Sequence, residues 1–469
     1  MINKISFFNL FLFLILLPVL FFFSCLNSST EKKNEFGKDD AKITFSNDIA
    51  PIIFKNCTPC HRPGESGPMS LTSYDQVKAV SNKIKFVTQS RFMPPWPADP
   101  NYSHFIGERV LSNSDIEKIK IWVNNGSPEG DRKKCPPLPE FTQGSFFGKP
   151  DMVIQMQKPI EIKGNGQDRF LMIKLPYEIE KDTFVRFFEF VPYKRKLVHH
   201  VNGHLITYDE KRKFNAFKGE SILPDAISDF EIHFKRMNLE YTDGKKPEFP
   251  TLFTNAVYYL PGYVPPAYPK GVGGYFLSKS GAILLKNVHY GPSAKNEIDS
   301  SYINVFFSKE KPSRPLRELQ IGTFGLSPVE PELIIPPNQI KTFHSKWAVP
   351  ETISLLSVNP HMHLLGKSFL AFAVTPVGDT IKLIKIKKWD FRWQYYYTFN
   401  KMIKIPKGSV IHAFGTFDNT EKNPFNPFYP PREIKQGDGL ESMQTTEEMF
   451  QFIFTFLPYR AGDENLSLK

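Results

Sequence analysis

Apolar residues follow three different rhythms along this chain, and each predicts a different kind of structure. A run from Phe7 to Phe23, broken only by Asn9 and Pro18, follows Lys4 and ends at Ser24 and Cys25. That is the layout of an export signal. The next stretch, Leu26 to Asp40, is rich in Ser, Lys and Glu and too polar to form a core, so residues 26–42 read as a tether. Between residues 43 and 131 the apolar positions recur at helical spacing. They are Ile49, Ile52 and Ile53, then Val77, Val80, Ile84 and Val87, then Ile116, Ile119, Trp122 and Val123 before Gly126. Ser46-Asn47-Asp48 is the expected cap of the first helix. From Asp151 onward the pattern shortens to strand-length runs: Met152 to Met156, Phe184 to Val191, Leu197 to Tyr208, Ile283 to Tyr290 and Ile303 to Phe307. A Pro-containing break at Lys311 to Pro315 precedes a second set, including Ile353 to Val358, Phe369 to Val374, Ile381 to Ile386, Val410 to Phe417 and Phe450 to Leu457. The expected fold class is multidomain. A small all-α domain (43–131) and a Pro-rich linker (132–147) precede two all-β antiparallel sandwiches at 148–312 and 313–462. The polar stretch Asp209 to Pro250 reads as an excursion from the first sandwich, with no structure assigned.

Composition sharpens this picture. With 469 residues the chain exceeds a single core, at roughly 100–200 residues per domain. Its 44 Phe and 40 Pro against 28 Gly favour short extended segments with Pro-marked turns. The net charge of +11 is spread among 59 basic and 48 acidic residues without a basic block, so no nucleic-acid partner is expected. Only four cysteines are present, at 25, 57, 60 and 135, which excludes a disulfide framework. The apolar run that stops at a small residue and Cys25 resembles bacterial lipoprotein signals. The resemblance implies cleavage before Cys25 and a lipid anchor there, on an exported periplasmic or outer-membrane-associated protein. An uncleaved membrane anchor is the alternative.

Cys57-Thr-Pro-Cys60-His61 is a CxxCH motif, in which two thiols attach a haem covalently and the histidine becomes an axial iron ligand. A redox dithiol or half a zinc site is the competing reading, but no second Cys pair exists for zinc. Residues 43–130 resemble small class I cytochromes c, which implies a sixth ligand, usually Met. Met93, in Arg91-Phe92-Met93-Pro94-Pro95-Trp96, is the expected one. Met69 is its rival, only eight residues after His61.

The histidines of the β region are grouped. His361-Met362-His363 sets two imidazoles at i and i+2, on one face of a strand. His199-His200 are neighbours, which a regular strand sends to opposite faces, so both reach one ion only if the backbone twists. His289 stands in Val288-His289-Tyr290-Gly291. Together with Thr445-Thr446-Glu447-Glu448-Met449, these four segments resemble, in order, those of the type II copper, ascorbate-dependent monooxygenases, the family of peptidylglycine alpha-hydroxylating and dopamine beta-monooxygenases. The match runs by motif through roughly 310 residues. It implies jelly-roll-like sandwiches and two copper ions. His199, His200 and His289 would hold an electron-storing copper, and His361, His363 and Met449 the copper that meets O2. The mixed set suits Cu(I), because a thioether is a soft ligand. Met443 is the alternative thioether. His204, His233, His344 and His412 match no ligand of the family, and His204 is at most a support to the first set.

The resemblance also has departures. Where the peptide-processing members clamp a substrate carboxylate with Arg, Asn and Tyr, this chain has Asn359, Gln451 and Ile453, so a peptide carboxylate is not the expected substrate. The expected function is haem-linked hydroxylation of a small molecule with O2, fed by an external electron donor. A non-catalytic electron-transfer or copper-binding haem protein is the alternative, and an adhesive surface lipoprotein is a more distant one.

Overall fold

In the computed structural model, residues 43–468 are described except 142–143, 226–229, 264, 267 and 438–444. The signal, the tether, Cys25 and Met443 lie outside the described residues. Residues Ile43–Lys469 form one compact unit. Among the described residues, no helix is long and apolar enough to cross a membrane.

A one-turn π-helix, Phe45–Ile49, runs directly into the α-helix Ala50–Asn56, and Tyr74–Ala79, Ser81–Gln89 and Asn113–Asn124 supply the remaining early helices. Thr44, not Ser46-Asn47-Asp48, is the cap. Its hydroxyl accepts from Asn47 N at 3.5 Å while the Asp48 carboxylate accepts from Thr44 N at 3.0 Å. Ser46 is buried, so its side chain turns inward instead of toward the helix end. Phe45, Ile49, Ile53, Val77, Ile84, Ile119 and Trp122 close a core of their own, as the helical spacing of these positions requires.

The sheets that follow are antiparallel. A five-stranded sheet has the order Ile222–Pro224, Arg169–Glu178, Ser280–Tyr290, Val198–Thr207, Thr251–Tyr259. It shares a core with the four-stranded sheet Met152–Gln155, Tyr302–Ser308, Thr183–Val191, Tyr275–Leu277. Further along, Arg317–Gly322, Phe450–Pro458, Ile353–Met362 and Tyr397–Ile405 form one four-stranded sheet, and Ile340–Ala348, Val410–Asp418, Gly366–Val374 and Thr380–Ile386 another. Their apolar faces supply most of the largest core. The stretch 209–250, unassigned from sequence, contributes the strand Ile222–Pro224 and the helix Phe230–Arg236. It buries Phe234, Met237 and Leu239 against Met172, Ile206 and Leu284, which covers the outer face of the five-stranded sheet. Lys174 is consequently sealed in. Its ammonium donates to the carbonyls of Lys218 and Met237, and burial pushes its pKa down to about 8.

The helical segment touches both sheet pairs. Arg62 and Arg195 meet Glu65 at 2.6 and 3.6 Å. The chain after Met93 pairs along the later sheets, with Asp99 N donating to Lys385 O and Ile106 N to Thr398 O, each at 2.8 Å. Ala98 and Phe105 enter that core. The 132–147 stretch lies on the first sheets through Phe146 N to Glu189 (2.6 Å) and a Phe147–Phe187 ring contact at 4.2 Å.

Candidate metal and haem-attachment sites

Neighbouring His199 and His200 converge because their strand is bulged. Its register against Ser280–Tyr290 shifts between Val198 and His200 and again between His200 and Asn202, leaving His200 opposite His289. An extra residue in one strand re-aims side chains that alternation would otherwise separate. The partner strand is also distorted: Asn287 takes a left-handed φ of 49° and donates its N–H to Asp225 at 2.6 Å. The three imidazoles have ligand atoms within 4.8 Å of one another, and among the described residues they are the one such group of His, Cys, Asp and Glu. His199 Nδ1 and His200 Nδ1 are 3.4 Å apart. Imidazoles bound at about 2.0–2.1 Å in a tetrahedron would stand roughly 3.3 Å apart. The Nε2–H of His289 donates to Asp168 at 2.7 Å, while its Nδ1 is buried with no partner. That proton placement leaves the Nδ1 lone pair for a metal. Burial, then His289, pushes His199 down to about 4, and burial with the neighbouring imidazoles holds His200 well below its ordinary value. Burial also lowers His289, against the pull of Asp168. All three are neutral donors at neutral pH.

His361 is the penultimate residue of the strand Ile353–Met362, and His363 lies just beyond it. Met362 between them is fully buried in the core, as alternation requires, and the two rings stand 5.2 Å apart at 88°. Burial, then His363, lowers His361 to about 3. His363 Nδ1–H donates to Glu447 O at 2.8 Å. Glu448 ties this turn to Met449. Its carboxyl group accepts from His363 N (2.9 Å), Leu365 N (2.6 Å) and Met449 N (3.3 Å). Burial raises it to about 8 against those bonds. Pairing of Met362 with Phe450 and of His361 with Gln451 brings Met449 to the same end of the sheet. Asn359 and Gln451 spend their amides on backbone, Asn359 on Tyr395 O (2.9 Å) and Gln451 on Thr323 O (3.1 Å).

The two histidine sets face a common loop. Phe391 lies 5.7 Å from His363, and Trp393 lies 6.4 Å from His199. Tyr258 Oη donates to Gln394 O at 2.7 Å and holds the loop between the sheets.

Cys57, Cys60 and His61 close the turn after the helix Ala50–Asn56, with His61 N donating to Cys57 O at 2.9 Å. Both cysteines are free thiols, and burial pushes Cys57 up to about 12. His61 Nδ1–H donates to Met69 O at 3.2 Å, so a haem iron, if bound, would meet Nε2. Met69 itself packs on the helical core. Met93 lines a cleft of about 800 Å³ with Trp96, Arg109, Ile116, Trp389 and Trp393. His61 and the cysteines are not in its wall, but Arg109 reaches from it to Cys60 Sγ at 3.7 Å. Free thiols, a tethered imidazole and an adjoining cleft with a thioether suit a covalent haem. Cys135 is half-buried against the helical core. His204 accepts from Asn255 N at 3.3 Å, and His344 and His412 bond to each other at 3.0 Å.

Sequence reasoning missed Asp168 and the Phe391–Tyr395 loop, since nothing local marks them. Glu448 stood in a quoted motif, without a role.

No protein-family model matches the chain, and no curated protein matches it. Among solved structures, the VP2 subviral particle of infectious bursal disease virus is 7% identical, with 68% of this chain and 73% of that chain covered at a TM-score of 0.18. A structure of the Gx strain of that virus is 8% identical, covering 68% and 84% at a TM-score of 0.15. Both scores are too low to carry an argument.

Proposed function

We propose that this chain is an exported, haem c-linked copper monooxygenase, anchored through lipid on Cys25, that hydroxylates a small molecule with O2 and electrons from an external donor. In this reading the helical segment is a class I-like cytochrome c, with His61 and Met93 on the iron. The two sheet pairs are jelly-roll-like sandwiches holding one copper each. The observation that carries the reading is the convergence of His199, His200 and His289, together with a His289 Nδ1 that is buried and has no hydrogen-bond partner. A purely adhesive domain has no use for three half-buried, neutral imidazoles so arranged. Bound copper would supply the chemistry that puts one atom of O2 into a substrate C–H bond and, with two electrons and two protons, releases the other as water. The protein's residues set the donors and their geometry. Asp168 fixes the tautomer of His289, Glu447 O fixes that of His363, and the Glu448 carboxyl bonds the backbone of His363 and of Met449 alike. Asn359 and Gln451, committed to backbone, favour a substrate without a carboxylate to clamp.

Metal analysis with a pyridine haemochrome spectrum is expected to give two copper and one haem c per chain. Full haem with zinc and no copper affinity would sink the reading. Copper-dependent O2 consumption that tracks hydroxylated product separates a monooxygenase from a non-catalytic electron-transfer protein with the same ligands. Met449→Ala is expected to abolish hydroxylation while haem and the first copper remain. Retained activity there, with loss in Met443→Ala, would move the thioether assignment to Met443.

A further inference from the structure

A continuous row of aromatic rings joins the Met93 segment to the first histidine set. Trp96, three residues after Met93, lies 5.6 Å from Tyr395. Tyr395 stacks on Trp393 at 6.2 Å and 15°, and Trp393 lies 6.4 Å from His199 at 38°. The row is fixed at each joint. Tyr395 is 4% exposed, its hydroxyl donates to Pro95 O at 3.5 Å, and its carbonyl receives the Asn359 amide at 2.9 Å. Gln394 Nε2 closes the loop on Phe391 O at 2.9 Å. The row starts in the cleft that holds Met93 and ends on an imidazole of the three-histidine set.

We infer that Trp393, with Tyr395 and Trp96 behind it, is the conduit for electrons between the haem segment and the His199, His200, His289 set. This rests on the function proposed above. With both groups bound, one electron would leave the haem, Fe(II) becoming Fe(III), and would take copper from Cu(II) to Cu(I). The rings gain and lose no atoms, and Tyr395 keeps its proton, which burial holds firmly in place. A packed, rigid π-contact lets the transfer proceed without reorganising the loop. A ring that only fills the space between sheets would be replaceable by any apolar side chain of similar size.

The test uses the full-length protein loaded with haem and copper, without O2, in pulse radiolysis. A radical pulse reduces the haem, and the haem absorbance then reports its reoxidation by copper. The wild type is expected to show a first-order phase independent of protein concentration. Trp393→Leu is expected to slow it by an order of magnitude or more, with haem potential and copper EPR spectrum unchanged, and Trp393→Phe to recover most of the rate. Trp96→Leu, at the far end of the row, should slow the same phase. An unchanged rate in either leucine variant overturns the inference. So does a slowed rate that comes with an altered copper spectrum or is not recovered by Phe, because the ring then serves packing alone. If the wild type binds haem and copper but shows no first-order phase, the inference falls while the metal assignments stand. If it binds neither, the functional reading falls with it.

Discussion

Asp168 acts on the first histidine set through one hydrogen bond, and its effect is separable from the fold because its side chain is 53% exposed. Its oxygen holds the proton of His289 on Nε2, and Phe170 stacks on the same ring at 4.4 Å and 10°. Asp168→Ala frees the tautomer and removes the charge that makes the ring more basic. Metal affinity of the set is expected to fall about 10–100-fold, with little change in unfolding midpoint. A copper titration against a competing chelator reads this directly. Unchanged affinity would mean that Phe170 alone orients the imidazole.

At the scale of elements, the bulged pair of strands makes the set. Asn287 sits two residues before His289 with φ at +49°, a conformation that Asn and Gly tolerate and β-branched residues do not. Asn287→Val is expected to cost roughly 1–2 kcal/mol and to lower metal occupancy, since relaxing φ rotates the strand that carries His289. Asn287→Gly should keep both. Chemical denaturation and metal stoichiometry on the two variants decide it, and equal behaviour would mean the bend is held by Asp225 and the neighbouring strands.

Across the whole molecule, Arg314 joins the two sheet pairs. Its backbone exchanges bonds with Gly271 (3.0 Å) and Gly273 (2.9 Å) of the first half. Its guanidinium grips Asp463 near the C-terminus with bonds of 2.6 and 2.7 Å, buried from solvent. Burial raises the Asp463 carboxyl, but bonds from Arg314 and Ser354 outweigh it and hold the group down to about 2, against 3.8 ordinarily. A depressed carboxylate contributes stability that is complete above its unfolded value and lost as pH falls through the folded one. Stability is therefore expected to drop between about pH 4 and pH 2. Asp463→Ala should remove that step and cost about 3–5 kcal/mol at neutral pH, since it strands a buried guanidinium. Acid titrations of unfolding free energy for both proteins check this.

What the chain determined by itself is the local pattern. Helical spacing at Ile49 to Val123 and strand-length runs after Asp151 sufficed to separate a helical beginning from an antiparallel remainder, because burial of one face imposes its period on the residues. His361 and His363 were legible as a pair for the same reason, and the shared turn of Cys57, Cys60 and His61 follows from their spacing. The joining of His199 to His200 was decided by tertiary structure: a bulge is a register mismatch with another strand, and no single strand carries that information. Asp168 meets His289 across 121 positions, and Glu448 closes on Leu365 across 83. Trp96 finds Tyr395 only because the segment after Met93 folds back onto the later sheets. Such contacts between distant segments are set by how sheets and loops close on a shared core, and proximity in sequence does not record them.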